Sequence, residues 1–180
     1  MSTEFGSQEM KILVIHGTQK GSVYALTKTV MEQISQKQDV EWIEVGTDDF
    51  QLPVCNACQA CQKKGQEHCP KFRAFAIAQN GMITCDAVIL SGLRHMWAWT
   101  TMVKNTFARL STRNHRPQLL GKQGMAITAS SAGLTRQLKK ILREWGIPEP
   151  MVLAADEAEK MQQITERFLA QWMAVKETTE

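Results

Sequence analysis

Lys11-Ile12-Leu13-Val14-Ile15 runs into His16-Gly17-Thr18-Gln19-Lys20-Gly21-Ser22, after which Val23, Leu26, Val30 and Ile34 recur at helical spacing. An unbroken apolar run marks a parallel strand buried on both faces, and an apolar residue every three or four positions marks an amphipathic helix. The stretch therefore reads as strand, tight loop, helix. Val40 to Val45 (V-E-W-I-E-V) supplies a second strand and completes a βαβ unit, whose crossover is expected to be right-handed. Further strands are expected at Ala87 to Leu90, Met125 to Thr128 and Met151 to Ala154. Helices are expected along Phe72, Phe75, Ala76 and Ile83, along Val103, Phe107 and Leu110, from Leu134 to Trp145, and from Met161 to Trp172. This alternation predicts an α/β fold: a doubly wound, five-stranded parallel sheet with helices on both faces.

The chain has 180 residues, 43% hydrophobic and 22% charged, which suits one domain with a substantial core. A formal net charge of +3, with no Lys/Arg run interleaved with aromatics, argues against nucleic acid. No apolar run approaches the roughly 20 residues of a membrane span, and no signal peptide is apparent, so a cytoplasmic protein is expected. Residues 1–9 (M-S-T-E-F-G-S-Q-E) are read as a leader, disordered or left by cloning, and the domain as 10–180.

Between Gly46 and about Lys71 the periodicity stops, and a loop of that length inside one domain usually has a task. Four of the five cysteines fall in it: Cys55, Cys58, Cys61 and Cys69, spaced C-x2-C-x2-C-x7-C, with Pro70 next. Three thiolates on one turn, with a fourth returning past Gly65, can surround an iron–sulfur cubane. Zinc more often takes two separated cysteine pairs, and unliganded or redox-active thiols are the third reading. His68 is read as support for this loop. Cys85 is read as a small buried apolar residue.

In doubly wound sheets, ligands bind beyond the carboxyl ends of the strands. Three loops are expected there: His16–Ser22, Ser91–Thr100 and Ala129–Gly133. The first offers hydroxyls on Thr18 and Ser22, the Lys20 ammonium, Gly21 and a helix N-terminus, a set suited to phosphate, although an ordinary capped turn would also use the glycine and serine.

The loop H-G-T-Q-K-G-S-V-Y resembles the flavodoxin phosphate loop, (S/T)-x-T-G-x-T, which Thr18 and Gly21 match, with Val23 at its last threonine. It is also similar to the G-S-x-R-x-x-S pattern of NAD(P)H-dependent FMN reductases, with Lys20 near the arginine. The segment from Ser91 to Leu110 resembles the S-P-V-Y…L-K-x-F-x-D-R-L stretch of those reductases. Ser91, Lys104, Arg109 and Leu110 match, and Gly92 and Arg94 stand where proline and tyrosine are usual. Among flavodoxin-like proteins, the compact cysteine motif resembles that of the iron–sulfur flavoproteins, which carry FMN and a 4Fe-4S cluster.

The resemblance implies FMN held by Thr18, Lys20, Gly21, Ser22 and Val23 at the phosphate. It implies Ser91, Gly92, Leu93, Arg94, His95, Met96 and Trp97 along the ring, with Ser130 and Ser131 from the third loop. A G-x-G-x-x-G pyrophosphate fingerprint is absent, which favours FMN over FAD. Cys55, Cys58, Cys61 and Cys69 would hold the cluster, passing electrons to and from FMN. An FMN or quinone reductase without a cluster, fed by NAD(P)H, and a non-catalytic electron carrier docking a redox partner protein are the alternatives. Flavin sites in this family are often completed by a second subunit, so a homodimer or homotetramer is expected. Trp97 and Trp99 are read as ring-stacking or packing residues. Arg136, Lys139, Lys140 and Arg143 are read as a solvated basic helix face more readily than as a docking site.

Overall fold

The computed structural model describes residues 9–17, 21–46, 58–64, 68, 70, 76–93, 119–130 and 134–177. Five strands form one parallel sheet: β1 (Met10–His16), β2 (Val40–Gly46), β3 (Ala87–Leu93), β4 (Gln123–Thr128) and β5 (Met151–Ala154), in the order β2-β1-β3-β4-β5. The helices are α1 (Ser22–Ser35), a single turn α2 (Ala60–Lys63), α3 (Ala76–Thr84), α4 (Leu134–Glu144) and α5 (Met161–Glu177). A 3-10 segment, Ala155–Lys160, precedes α5.

The sheet separates two cores because side chains alternate across a strand. Leu13 and Ile15 of β1 join Met82, Val88, Leu90, Leu138 and Leu142 on the face covered by α3 and α4. Ile12 and Val14 join Val30, Ile34, Ile89, Ile127, Phe168 and Trp172 on the face covered by α1 and α5. Central strands buried on both sides explain why β1 and β3 read as continuous apolar runs. The expected architecture is therefore the one observed.

Beyond shifts of one or two residues at the ends of β1, β2 and β4, the local structure differs from the expectation in three places. β3 continues through Ser91, Gly92 and Leu93, which the sequence assigned to a loop, and its pairing with β4 shifts register between Ser91 and Leu93. Gly92 sits there at φ 96, a conformation that absorbs the irregularity and that proline, locked near φ −65°, cannot adopt. At the described positions of α3, Gly81 and Met82 are buried, whereas Ile83, expected on the apolar face, is 54% exposed; Phe72, Phe75 and the Ala76 side chain, expected on that same face, lie outside the described residues. A Cβ on Gly81 would lie 2.9 Å from Leu13 Cδ1, so the glycine lets this helix lie close against β1. Within the cysteine segment, the turn α2 follows Gln59 at φ 57. The helix expected around Val103–Leu110 lies outside the described residues.

Candidate functional site

From β1 the sheet grows in opposite directions, to β2 on one side and to β3 on the other, which makes the carboxyl ends of β1 and β3 its switch point. There the Gly17 N–H donates to the Ser91 carbonyl at 2.6 Å. A Cβ on Gly17 would stand 3.1 Å from that oxygen and 3.3 Å from the Gly92 carbonyl. The loop leaving β1 is thus pinned to the end of β3 by the absence of a side chain. Gly21, the N-cap of α1, has φ 85 and no side-chain cap hydrogen bond. No acidic residue lies in the first turn of α1. That end is an open, positive helix terminus of the kind that receives an anion.

Below the loop, two buried hydroxyls link α1 to β3. Thr27 donates to the Val23 carbonyl at 2.7 Å, which uses its single proton, so Ser91 is the donor in the 2.6 Å Thr27–Ser91 hydrogen bond. In the described structure the Ser91 hydroxyl therefore serves the α1–β3 junction.

Beside it, the last residue of β1 begins a polar cluster. His16, only 1% exposed, places Nε2 2.9 Å from Glu44 of β2, and the same carboxylate oxygen accepts from Lys28 of α1 at 2.6 Å. Tyr24 meets the imidazole edge-on at 5.2 Å, and Lys28 Nζ lies 5.6 Å from the Tyr24 ring centre. Burial pushes the His16 pKa down, against the pull of Glu44. Burial would raise the Glu44 pKa, but hydrogen bonds from Lys28 and His16 outweigh it and hold the carboxyl below its ordinary range. Neutral His16 then donates from Nε2 to ionised Glu44, leaving Nδ1 as an acceptor. Nδ1 is buried without a hydrogen-bond partner.

The Gly17 cradle, the uncapped α1 terminus and the orphaned His16 Nδ1 next to them fit a phosphate-bearing cofactor. Nδ1 would serve an anion as a donor after taking up one proton.

The expected site residues fall unevenly. Gly21 and Ser22 lie at the open terminus, both exposed, whereas the Val23 side chain is buried in the α1 core and only its backbone belongs to the first turn. Gly92 and Leu93 end β3. Ser130, beyond β4, donates to Asp156 Oδ2 at 3.1 Å, tying the third loop to the 3-10 segment. Thr18, Lys20, Arg94, His95, Met96, Trp97, Trp99 and Ser131 lie outside the described residues, as do Cys55 and Cys69 and the Cys61 side chain. Cys58 and His68 are exposed. Among the described residues no group of three or more His, Cys, Asp or Glu is placed to hold a metal. Cys85 is buried as expected, and burial raises its thiol pKa. His16, Tyr24, Thr27, Lys28 and Glu44 were not singled out from the sequence. A histidine closing an apolar strand and a threonine within an apolar helix stripe were the available signals. A groove of about 190 Å³ lined by Lys37, Glu166 and Trp172 lies at the opposite, amino edge of the sheet, away from this chemistry.

A parallel sheet of order 2-1-3-4-5 with an uncapped helix terminus at its switch point defines a flavodoxin-like protein. Residues 10–160 match the family described as NADPH-dependent FMN reductase, and the chain belongs to that family. Its fold is shared with a flavoenzyme NAD(P)H:(acceptor) oxidoreductase from Paracoccus denitrificans, at TM-score 0.60 and 15% identity, covering 93% of this chain and 98% of that one. It is also shared with an NAD(P)H:quinone oxidoreductase from Methanothermobacter marburgensis, at TM-score 0.55 and 14% identity, covering 97% and 98%. The two-electron reduced flavodoxin of Megasphaera elsdenii matches at TM-score 0.53 and 15% identity, covering 87% and 97%. No curated protein sequence matches the chain. No helix among the described residues is long and apolar enough to cross a membrane.

Proposed function

We propose that this protein is an FMN-dependent oxidoreductase that accepts hydride from NAD(P)H and passes the electrons to a quinone or flavin acceptor. The observation that carries the reading is the uncapped, carboxylate-free terminus of α1, which follows β1 and Gly17, where a Cβ would stand only 3.1 Å from the Ser91 carbonyl oxygen. The family match supports the donor class, in keeping with the NAD(P)H oxidoreductase activity of the Paracoccus and Methanothermobacter proteins of the same fold. When bound, FMN supplies the two-electron chemistry, and the chain supplies position and electrostatics. Backbone N–H groups of the first turn of α1, with Thr18, Lys20 and Ser22, would hold the phosphate. Residues 91–97 and Ser130 with Ser131 would border the ring, and a second copy of the chain would complete the site in a dimer or tetramer.

The test is reconstitution with flavin, acid release and chromatography, then anaerobic addition of NADPH or NADH without any other protein. FMN at about one per chain, bleached by either nucleotide, is expected. Absence of bound flavin, or flavin left oxidised by both nucleotides, overturns the reading. Lys20→Ala should weaken FMN by about 1.5–3 kcal/mol, tenfold or more, and leave riboflavin little changed, because a charge-assisted hydrogen bond to phosphate is lost. Equal losses for both ligands would place Lys20 away from the phosphate.

The iron–sulfur variant of this reading rests on the spacing Cys55, Cys58, Cys61, Cys69. Iron, acid-labile sulfide and zinc measured on anaerobically purified protein test it. About four iron and four sulfide per chain would establish the cluster. One zinc without sulfide, or no metal, leaves the reductase without a cluster.

A further inference from the structure

We infer that the solvent face of α4 is a docking surface for an acidic one-electron carrier protein. Arg136, Lys139, Lys140 and Arg143 stand at i, i+3, i+4 and i+7, one stripe opposite the buried Leu138 and Leu142. Among the described residues Arg136, Lys139 and Arg143 have no carboxylate partner, and Lys140 reaches only Glu144, at 4.0 Å. Four cations against Glu144 leave the helix at +3, which equals the formal net charge of the whole chain, +3. Several other surface cations among the described residues are paired: Lys28 meets Glu44, Lys37 meets Glu166 and Arg167 meets Glu149.

Nothing within the helix accounts for the stripe. Like charges three and four residues apart repel, and Arg136 in the first turn faces the positive end of the helix dipole, with no acidic residue in that turn. A partner carrying the opposite sign supplies the missing half. The stripe spans about 10 Å along a convex helix (1.5 Å per residue), so a single nucleotide phosphate cannot cover it, whereas the carboxylates of a protein surface can. The helix also starts at the carboxyl edge of β4, the edge where the cofactor is proposed to lie. A carrier seated on α4 is thereby brought to the redox end of the molecule. The redox part of this inference rests on the proposed flavin function. NAD(P)H plus two oxidised carriers gives NAD(P)+, two reduced carriers and one proton.

The probe is a purified acidic 2Fe-2S ferredoxin carrying a fluorescent label. Its binding is titrated by anisotropy at about 25 and about 300 mM salt, where screening is weak and strong respectively. Wild type is expected to bind at the lower concentration and to lose about tenfold in affinity at the higher. The fourfold variant Arg136→Gln, Lys139→Gln, Lys140→Gln, Arg143→Gln should bind about tenfold more weakly at low salt and show little salt dependence. The charge-keeping variant Arg136→Lys, Arg143→Lys should bind as wild type. Reduction of bound flavin by NADPH should be the same in all three. Unchanged ferredoxin binding in the glutamine variant overturns the proposal. So does loss of NADPH reduction in place of ferredoxin binding, or tighter binding of duplex DNA or phosphatidylglycerol vesicles through the same residues. The anisotropy measurement needs no flavin, so ferredoxin binding by a chain that holds no FMN supports the docking surface and counts against the flavin reading alone.

Discussion

At the scale of single residues, the polar cluster at the end of β1 is where burial and charge conflict most directly. His16 has its pKa lowered below the usual 6.5, chiefly by burial, so the unfolded chain binds more protons than the folded one as acid is added. The contribution of neutral His16 is present above pH 6.5 and is lost as pH falls through its lower folded value. Glu44, also lowered, adds a loss further down, below about pH 4.5. Urea unfolding of wild type between pH 7 and 5.5 should show stability falling with acid, and His16→Gln should flatten that slope; an equal slope in the variant would show that His16 does not titrate with unfolding. Thr27→Val leaves the buried Ser91 hydroxyl without its acceptor and should destabilise by about 1–3 kcal/mol. Adding Ser91→Ala should recover part of that loss, since no buried hydroxyl then goes unpaired; additive losses would contradict the assigned hydrogen bond. Chemistry-bearing residue types in loops, Thr18, Lys20 and Ser22, were conspicuous in the sequence. His16 and Glu44 were not, because one sits inside an apolar strand and its partner lies 28 positions away.

At the scale of elements, close packing positions α3, whereas in α4 the buried Leu138 and Leu142 hold a helix that like-charge repulsion opposes. Alanine ordinarily improves a helix over glycine by about 0.8–1 kcal/mol. At Gly81 the added methyl would meet Leu13 Cδ1 at 2.9 Å and Ile43 Cγ2 at 3.3 Å, and overpacking of this kind costs about 1–3 kcal/mol. Gly81→Ala is therefore expected to be destabilising on balance, and a rise in the thermal midpoint would show that α3 can move off β1. In α4, Lys139→Glu replaces two repulsive pairs, with Arg136 and Arg143, by two attractive ones. At about 0.2–0.5 kcal/mol per pair, the gain should be about 1 kcal/mol, read as a higher urea midpoint at unchanged slope. An unchanged midpoint would mean that water and salt already screen the stripe. Periodicity alone located α1, α4 and α5. It misplaced the end of β3, because Ser91-Gly92-Leu93 carries turn chemistry in its sequence while its hydrogen bonding follows β4.

At the scale of the whole molecule, among the described residues both cores are built mainly from the sheet and the helices packed on it, and Cys85 belongs to the one under α3 and α4. The exposed Cys58 stands apart from both. Cys58→Ala should therefore leave the fold and any bound flavin intact and remove whatever metal the segment holds; loss of flavin together with metal would show that the two are coupled. The sequence by itself determined the class of fold, since strands buried on both faces and alternating with amphipathic helices have few arrangements other than a doubly wound parallel sheet. It also singled out the strand-to-helix loop proposed to hold phosphate, because hydroxyl, lysine and glycine residues stand together there along the chain. Only the tertiary structure decided the order β2-β1-β3-β4-β5, and with it which strand ends meet at the switch point. It alone brought Gly17 against Ser91, Thr27 against Ser91, and His16 against Glu44 and Lys28. Those pairings depend on strand order and helix packing, which local periodicity does not encode, because the same alternating pattern is compatible with any order of parallel neighbours.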